Sequence, residues 1–176
     1  LPILQSCAAP EAATLQVQSA AVSPDGSRVA ILLYRSLLYS DYNMKSVQLW
    51  DLEEGKLTEI DQLEETFFSD AKVAFADSGL LLMAYDEWGK GGETRCYDPA
   101  KDWERRWATP TRSADSYLER INGKMVMSGE VKVLEGREDG VLVGGLFALT
   151  RLDPETGEVL WRKSLRQQLV TASPLD

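Results

Sequence analysis

From Thr14 onward, apolar and polar positions fall into short runs separated by tight turns. Leu15, Val17 and Ser19 alternate with Gln16, Gln18 and Ala20, and the run ends in Ser23-Pro-Asp-Gly26. Alternation of period two predicts a strand with two different faces. In the turn that follows, Pro pre-sets φ and Gly accepts a positive φ. Arg28–Tyr34 is almost continuously apolar, the pattern of a strand covered on both faces. A polar-aromatic stretch, Arg35–Ser46, leads to Val47–Trp50, a turn at Asp51–Gly55, and the strand Lys56–Ile60.

The same four beats return. Lys72–Phe75 leads through Ala76-Asp-Ser-Gly79 to the apolar strand Leu80–Tyr85. A glycine-rich loop, Asp86–Glu93, precedes Thr94–Tyr97, a turn at Asp98–Asp102, and the strand Trp103–Ala108. The third round is looser. It reads as Tyr117–Ile121, the turn Asn122-Gly123, Lys124–Met127, a long loop Ser128–Gly140, Gly145–Leu152, a turn at Asp153–Gly157, and Glu158–Lys163.

Gly26, Gly79 and Gly123 are spaced by 53 and 44 residues, and Asp51, Asp98 and Asp153 by 47 and 55. A period near ~50 with four strands per unit predicts an all-β chain of propeller blades. One four-stranded sheet cannot bury both of its faces alone, so blades stack face to face. The expected organisation is a lead-in over 1–13, three blades over roughly 14–61, 62–110 and 111–165, and the first strand of a fourth at 166–176. Gln168-Leu-Val-Thr-Ala-Ser-Pro174 echoes Gln18-Ser-Ala-Ala-Val-Ser-Pro24, which motivates that last assignment.

The stretch Leu152-Asp-Pro-Glu-Thr-Gly-Glu-Val-Leu-Trp161 resembles the repeat of quinoprotein-type (PQQ-like) propellers. Ser23-Pro-Asp-Gly26 followed by Val47-Gln-Leu-Trp-Asp-Leu-Glu-Glu-Gly55 is similar to WD-repeat propellers. Both resemblances imply a β-propeller. The chain contains no histidine, so the buried His-Asp network implied by true WD repeats cannot form. The Thr-Gly-x-x-x-Trp arrangement of the quinoprotein repeat occurs in the third unit alone.

Composition narrows the chemistry. Without histidine there is no Ser-His-Asp triad, no Cys-His pair and no His-ligated metal. Two cysteines, Cys7 and Cys96, are too few for a structural zinc site. A net charge of −9 disfavours nucleic acid as a partner. No run of ~18 apolar residues predicts a membrane span. Leu4-Gln-Ser-Cys7 resembles the end of a lipoprotein signal, with Gln5 a poor match; the plainer alternative is an ordinary cysteine. Gly89-Lys-Gly-Gly92 lacks the spacing of a phosphate loop.

Asp51, Asp98 and Asp153 recur where a turn favours an aspartate that bonds its own backbone, so they are expected to be turn residues rather than ligands. Trp50, Tyr97 and Trp161 beside them are expected to pack between blades. Neither a catalytic constellation nor a cofactor or metal site is expected. The units differ most in their middle loops, which hold Tyr39, Asp41, Tyr42, Glu87, Trp88, Glu130 and Lys132. Aromatic and acidic residues gathered on one rim fit a protein-recognition surface, and the competing reading folds those aromatics over the blade edges. The leading functional expectation is a non-enzymatic, protein-binding scaffold using Tyr39, Asp41, Tyr42, Glu87 and Trp88, or a segment paired with further blades. Two rivals stand beside it: a piece of a quinoprotein-like or other propeller enzyme, and a lipid-anchored envelope assembly scaffold.

Overall fold

Aspartate and glycine turns fold the chain into successive antiparallel hairpins. The computed structural model describes residues 13–37, 43–65, 69–87, 91–111, 119–121, 124–126, 131–145 and 148–164. The first sheet contains β1 (Ala13–Val22), β2 (Arg28–Leu37), β3 (Asn43–Asp51) and β4 (Lys56–Glu65), in that order. The second contains β5 (Ser69–Phe75), β6 (Leu81–Glu87), β7 (Gly91–Asp98) and β8 (Glu104–Pro110). A hairpin of β9 (Glu119–Ile121) and β10 (Lys124–Val126) forms its own sheet. The third four-stranded sheet contains β11 (Val133–Arg137), β12 (Gly140–Gly144), β13 (Ala148–Leu152) and β14 (Val159–Ser164). Three four-stranded antiparallel sheets in chain order make this all-β chain a β-propeller segment.

The sheets stack in chain order. One core lies between the first and second and includes Ala30, Leu32, Val47 and Leu49 against Val73, Leu81, Met83 and Tyr97. A second lies between the second and third and includes Leu82, Ala84, Cys96 and Trp107 against Val141, Val143 and Leu152. The second sheet is therefore covered on both faces, as the apolar run Leu80–Ala84, wholly buried, requires. The first strands of successive sheets lie side by side. The Ser19 hydroxyl accepts from the Val73 amide at 3.2 Å, Gln18 Nε2 donates to Asp70 at 3.2 Å, and Lys72 Nζ donates to the Lys132 carbonyl at 2.8 Å.

Three sequence expectations change. Tyr117–Ile121 and Lys124–Met127 do not open the third blade: β9 and β10 pair only with each other among the described residues. The expected loop Ser128–Gly140 instead contains β11 and the start of β12. The reason is a close approach. A Cβ on Gly136 would stand 2.6 Å from the Ala76 Cβ, and a parallel bridge joins Ala76 to Gly136. A glycine that reads as a loop former is what lets β11 pack on the second sheet. Thirdly, the middle loops are shorter than expected, because β2 runs to Leu37 and β3 starts at Asn43, while β6 runs to Glu87 and β7 starts at Gly91. The expected fourth-blade strand, 166–176, and nearly all of the lead-in lie outside the described residues.

Candidate functional site

Each β3-type strand leads into an aspartate that starts a turn: Asp51, Asp98 and Asp153. Asp51 Oδ1 accepts from the amides of Glu53 and Glu54, both at 3.0 Å, and Asp153 Oδ1 from those of Glu155 and Thr156 at 2.9 and 2.8 Å. These bonds hold both carboxyls below the usual carboxylate range: the Glu54 amide is the largest cause for Asp51, and the Thr156 amide for Asp153. Asp98 accepts from the Ala100 amide at 2.9 Å. All three act as turn residues, as the sequence led one to expect. In the two Asp-x-x-x-Gly turns the glycine closes the turn in the left-handed region, Gly55 at φ 66° and Gly157 at φ 74°. The middle turn has no such glycine, so Asp102 and Trp103 take positive φ instead. Such backbone costs about 1–2 kcal/mol per residue. Packing offsets that strain: the Trp103 ring meets Phe75 edge-on at 6.4 Å, and the Arg28 guanidinium lies 5.5 Å from it.

The turn at 153–157 is also a clasp between blades. Trp107 Nε1 donates to the Pro154 carbonyl at 3.0 Å, and the Thr109 hydroxyl donates to the Gly157 carbonyl at 2.7 Å. Arg106 pairs with Glu155 at the same place. Gly157 lies flat on the indole, where a Cβ would approach Trp107 to 2.6 Å.

A polar cluster links the first and second sheets. Asp61 on β4 accepts from the Tyr97 hydroxyl and, at 2.7 Å, from Arg95. Arg95 also bonds Glu93 at 2.5 Å and stands 5.2 Å from the Tyr85 ring. Burial works to lower the Arg95 pKa, but the bonds to Glu93 and Asp61 hold it well above its ordinary value. Burial first, then Asp61, pushes Tyr97 far up. Both carboxylates share the Arg95 guanidinium, so the cluster ties the two blades together. Burial likewise raises the Cys96 thiol to about 12, which makes it an inert core residue.

On the rim of the β1–β2 and β5–β6 turns a cleft of about 290 Å³ opens between Asp25, Arg28, Asp77 and Trp103. Asp25 and Arg28 in it are already engaged. Asp25 accepts from the Ser23 and Ser27 hydroxyls at 2.6 and 2.9 Å, and Arg28 pairs with Asp51 at 3.4 Å. Among the described residues no group of three or more Cys, Asp or Glu side chains could hold a metal.

The exposed feature is a sheet face. On the first sheet, register places Val22, Val29, Trp50 and Leu57 in one row, and Val17 and Leu33 in another on the same side. Val22 is 62% exposed, Leu57 56% and Trp50 44%. The opposite side of that sheet carries the buried Ala30, Leu32, Val47 and Leu49. The expectation that Trp50 packs between blades is thus corrected: among the described residues no sheet covers its side. Tyr97 does pack there, and Trp161 is half-buried with Lys163 Nζ 5.2 Å from its ring.

No family model matches the chain, and no curated protein matches it. Among solved structures it is similar to the acylaminoacyl peptidase of Pyrococcus horikoshii. The likeness is one of fold. Identity is 14% and the TM-score 0.50, over 87% of this chain. That peptidase has a β-propeller domain, and the present chain covers 25% of its length.

Of the predicted contact residues, Tyr39, Asp41, Tyr42 and Trp88 lie outside the described residues. Glu87 ends β6, paired with Ser69 and Gly91. The open face of the first sheet was missed, although its signal was present: both alternating sets of β2 are apolar.

Proposed function

We propose that this β-propeller segment is a non-enzymatic, protein-binding scaffold, and that its main contact surface is the open face of the first sheet. The observation that supports the reading is the row Val22–Val29–Trp50–Leu57, apolar throughout and largely exposed. A contiguous exposed apolar patch of this kind is the usual mark of a protein contact, and a tryptophan at its centre is the usual anchor. Tyr39, Asp41, Tyr42, Glu87 and Trp88 form a second contact set on this reading, mixing aromatic and acidic residues in sequence. The resemblance of the turns to quinoprotein-type and WD-repeat propellers agrees with a binding role.

A photo-crosslinking amino acid placed at position 50, at position 42, and at the exposed control position Arg105 tests the proposal in cells expressing the chain. A discrete protein adduct at 50 that is absent at 105 supports the face, and one at 42 supports the second set. Absence of adducts at both 50 and 42 would overturn the scaffold reading.

A further inference from the structure

Among the described residues, the two outer four-stranded sheets carry, unjoined, the two halves of a contact the chain already makes internally. The internal template is the clasp between Trp107 and the turn 153–157. Trp107 on β8 pairs with Cys96, one residue before a bulge at Cys96/Tyr97, and two residues before the turn aspartate Asp98. Trp161 on β14 holds the same place: it pairs with Arg151, beside a bulge at Arg151/Leu152, and two residues before Asp153. Trp107 faces a following sheet and takes its turn. Trp161 is the equivalent residue of the last described sheet, and it is only partly buried.

The matching turn is at the other end of the chain. Asp51-Leu-Glu-Glu-Gly55 has the chemistry of Asp153-Pro-Glu-Thr-Gly157: the same aspartate bonds to the amides two and three residues on, and the same left-handed closing glycine. The docked turn presses Gly157 onto an indole, whereas a Cβ on Gly55 would meet nothing within 4 Å. The residue preceding each aspartate repeats the contrast: Leu152 is fully buried, while Trp50 is 44% exposed.

We infer that the partner of the open first-sheet face is a second copy of this chain, docked front to back. The turn 51–55 of one copy lies on Trp161 of the other, and the row Val22–Val29–Trp50–Leu57 covers the outer side of the third sheet. This names the partner of the surface proposed above and rests on that reading. Front-to-back packing is already how the second sheet covers the first and the third covers the second, so the intermolecular contact continues an interface present within the chain. Charge agrees: Glu53 and Glu54 of the turn would meet Lys163, which shares the outer face with Trp161 and whose counterpart in the internal clasp is Thr109. Two copies of the three described four-stranded sheets supply six blades, within the ~4 to 8 that close a propeller. A head-to-tail contact used twice then closes into a ring instead of growing into a fibre.

Sedimentation velocity over a concentration series tests this on the full chain. The wild type is expected to form a dimer with rising concentration. Trp50→Asp disables the front and Trp161→Ala the back, and each alone is expected to weaken association by about tenfold or more. Because both side chains are at least partly exposed, unchanged melting temperatures are expected for both variants below the concentration at which the wild type associates. The decisive arm mixes them: the intact front of the Trp161→Ala chain can dock on the intact back of the Trp50→Asp chain, so the mixture should recover dimer that neither variant forms alone. A monomer at every wild-type concentration, a mixture that stays monomeric, or an open series of larger oligomers overturns the inference. Crosslinking at position 50 separates the two levels. An adduct with a different protein overturns the second copy and leaves the scaffold standing, whereas no adduct at 50 or 42 removes both.

Discussion

The faces of the first and second sheets that look back along the stack are built to the same register and meet different fates. Val22, Val29 and Trp50 on the first sheet answer to Phe75, Leu81 and Tyr97 on the second, each set leading into a turn aspartate. Leu81 and Tyr97 are 0% and 2% exposed because the first sheet covers them. Val22 and Trp50 are open because no described sheet lies on their side. Residue type alone therefore does not decide burial here. A blade face becomes core when a neighbouring blade is present, and remains a binding surface when none is.

The largest expected effect tests that contrast directly. Tyr97→Ala removes a buried ring from the centre of the interface and takes one of its donors from Asp61, leaving Arg95 and the Gln62 amide. It is expected to cost ~3–5 kcal/mol in urea unfolding. Trp50→Ala, at the equivalent position, is expected to change stability by less than ~1 kcal/mol when measured below the concentration at which the chain associates. Equal losses at the two positions would mean that the first-sheet face is covered in the isolated chain.

Next in size is the pair of turn glycines. Gly157→Ala combines a left-handed φ with a Cβ 2.6 Å from Trp107. Strain of ~1–2 kcal/mol and overpacking of ~1–3 kcal/mol add to an expected loss of ~2–5 kcal/mol. Gly55→Ala carries only the backbone strain, ~1–2 kcal/mol, since its surroundings are open. Thermal unfolding separates the two. A Gly55→Ala loss as large as that at Gly157 would show the 51–55 turn docked within the same chain.

The tryptophans give a smaller contrast of the same kind. Trp107→Phe leaves the Pro154 carbonyl without its indole donor, and is expected to cost ~1–3 kcal/mol. Trp161→Phe, on the outer side of the third sheet, is expected to stay within ~0.5 kcal/mol in the monomer. A loss at Trp161 matching that at Trp107, at low concentration, would place a partner on it within the same chain.

The turns and the repeat were legible in the sequence because their chemistry is local. Asp51, Asp98 and Asp153 bond amides within three residues of themselves, and Gly26, Gly55 and Gly157 take positive φ that few other residues adopt. The first half of the third blade was not legible, because it is set by a distant contact. Val133–Arg137 is short and holds Glu135, Gly136 and Arg137, a poor local strand signal, and only the approach to Ala76 explains its glycine. Asn122-Gly123 carried the stronger hairpin signal, and the strands flanking it do pair, but in a sheet of their own. The open face was hidden for a related reason. Alternation along β2 shows that both sides are apolar, while which side is covered depends on neighbours elsewhere in the chain. The expected contact residues were chosen by loop length, and the strands proved longer than the hydrophobic pattern implied.

The smallest predicted effect concerns the rim where the first two sheets meet. The Ser23 hydroxyl, then the Ser27 amide and hydroxyl, hold the exposed Asp25 carboxyl at about 2, below its ordinary 3.8. The folded chain therefore binds a proton at Asp25 less readily than the unfolded chain does. Between those two values the unfolded state carries more protons, so stability rises with pH across that window. The contribution is fully present above 3.8 and is lost as pH falls towards about 2. Asp25→Asn should flatten the acid limb of a stability–pH profile in that interval alone, with little change in its slope at higher pH. The equivalent turn on the second sheet, Ala76-Asp-Ser-Gly79, has alanine where the first has Ser23 and so lacks that hydroxyl donor. Ser23→Ala, which gives the first turn the alanine of the second, should flatten the acid limb in the same interval, because the Ser23 hydroxyl is the largest cause of the lowered Asp25 pKa. An acid limb left unchanged by Ser23→Ala would show that the Ser23 hydroxyl is not what holds the Asp25 carboxyl down.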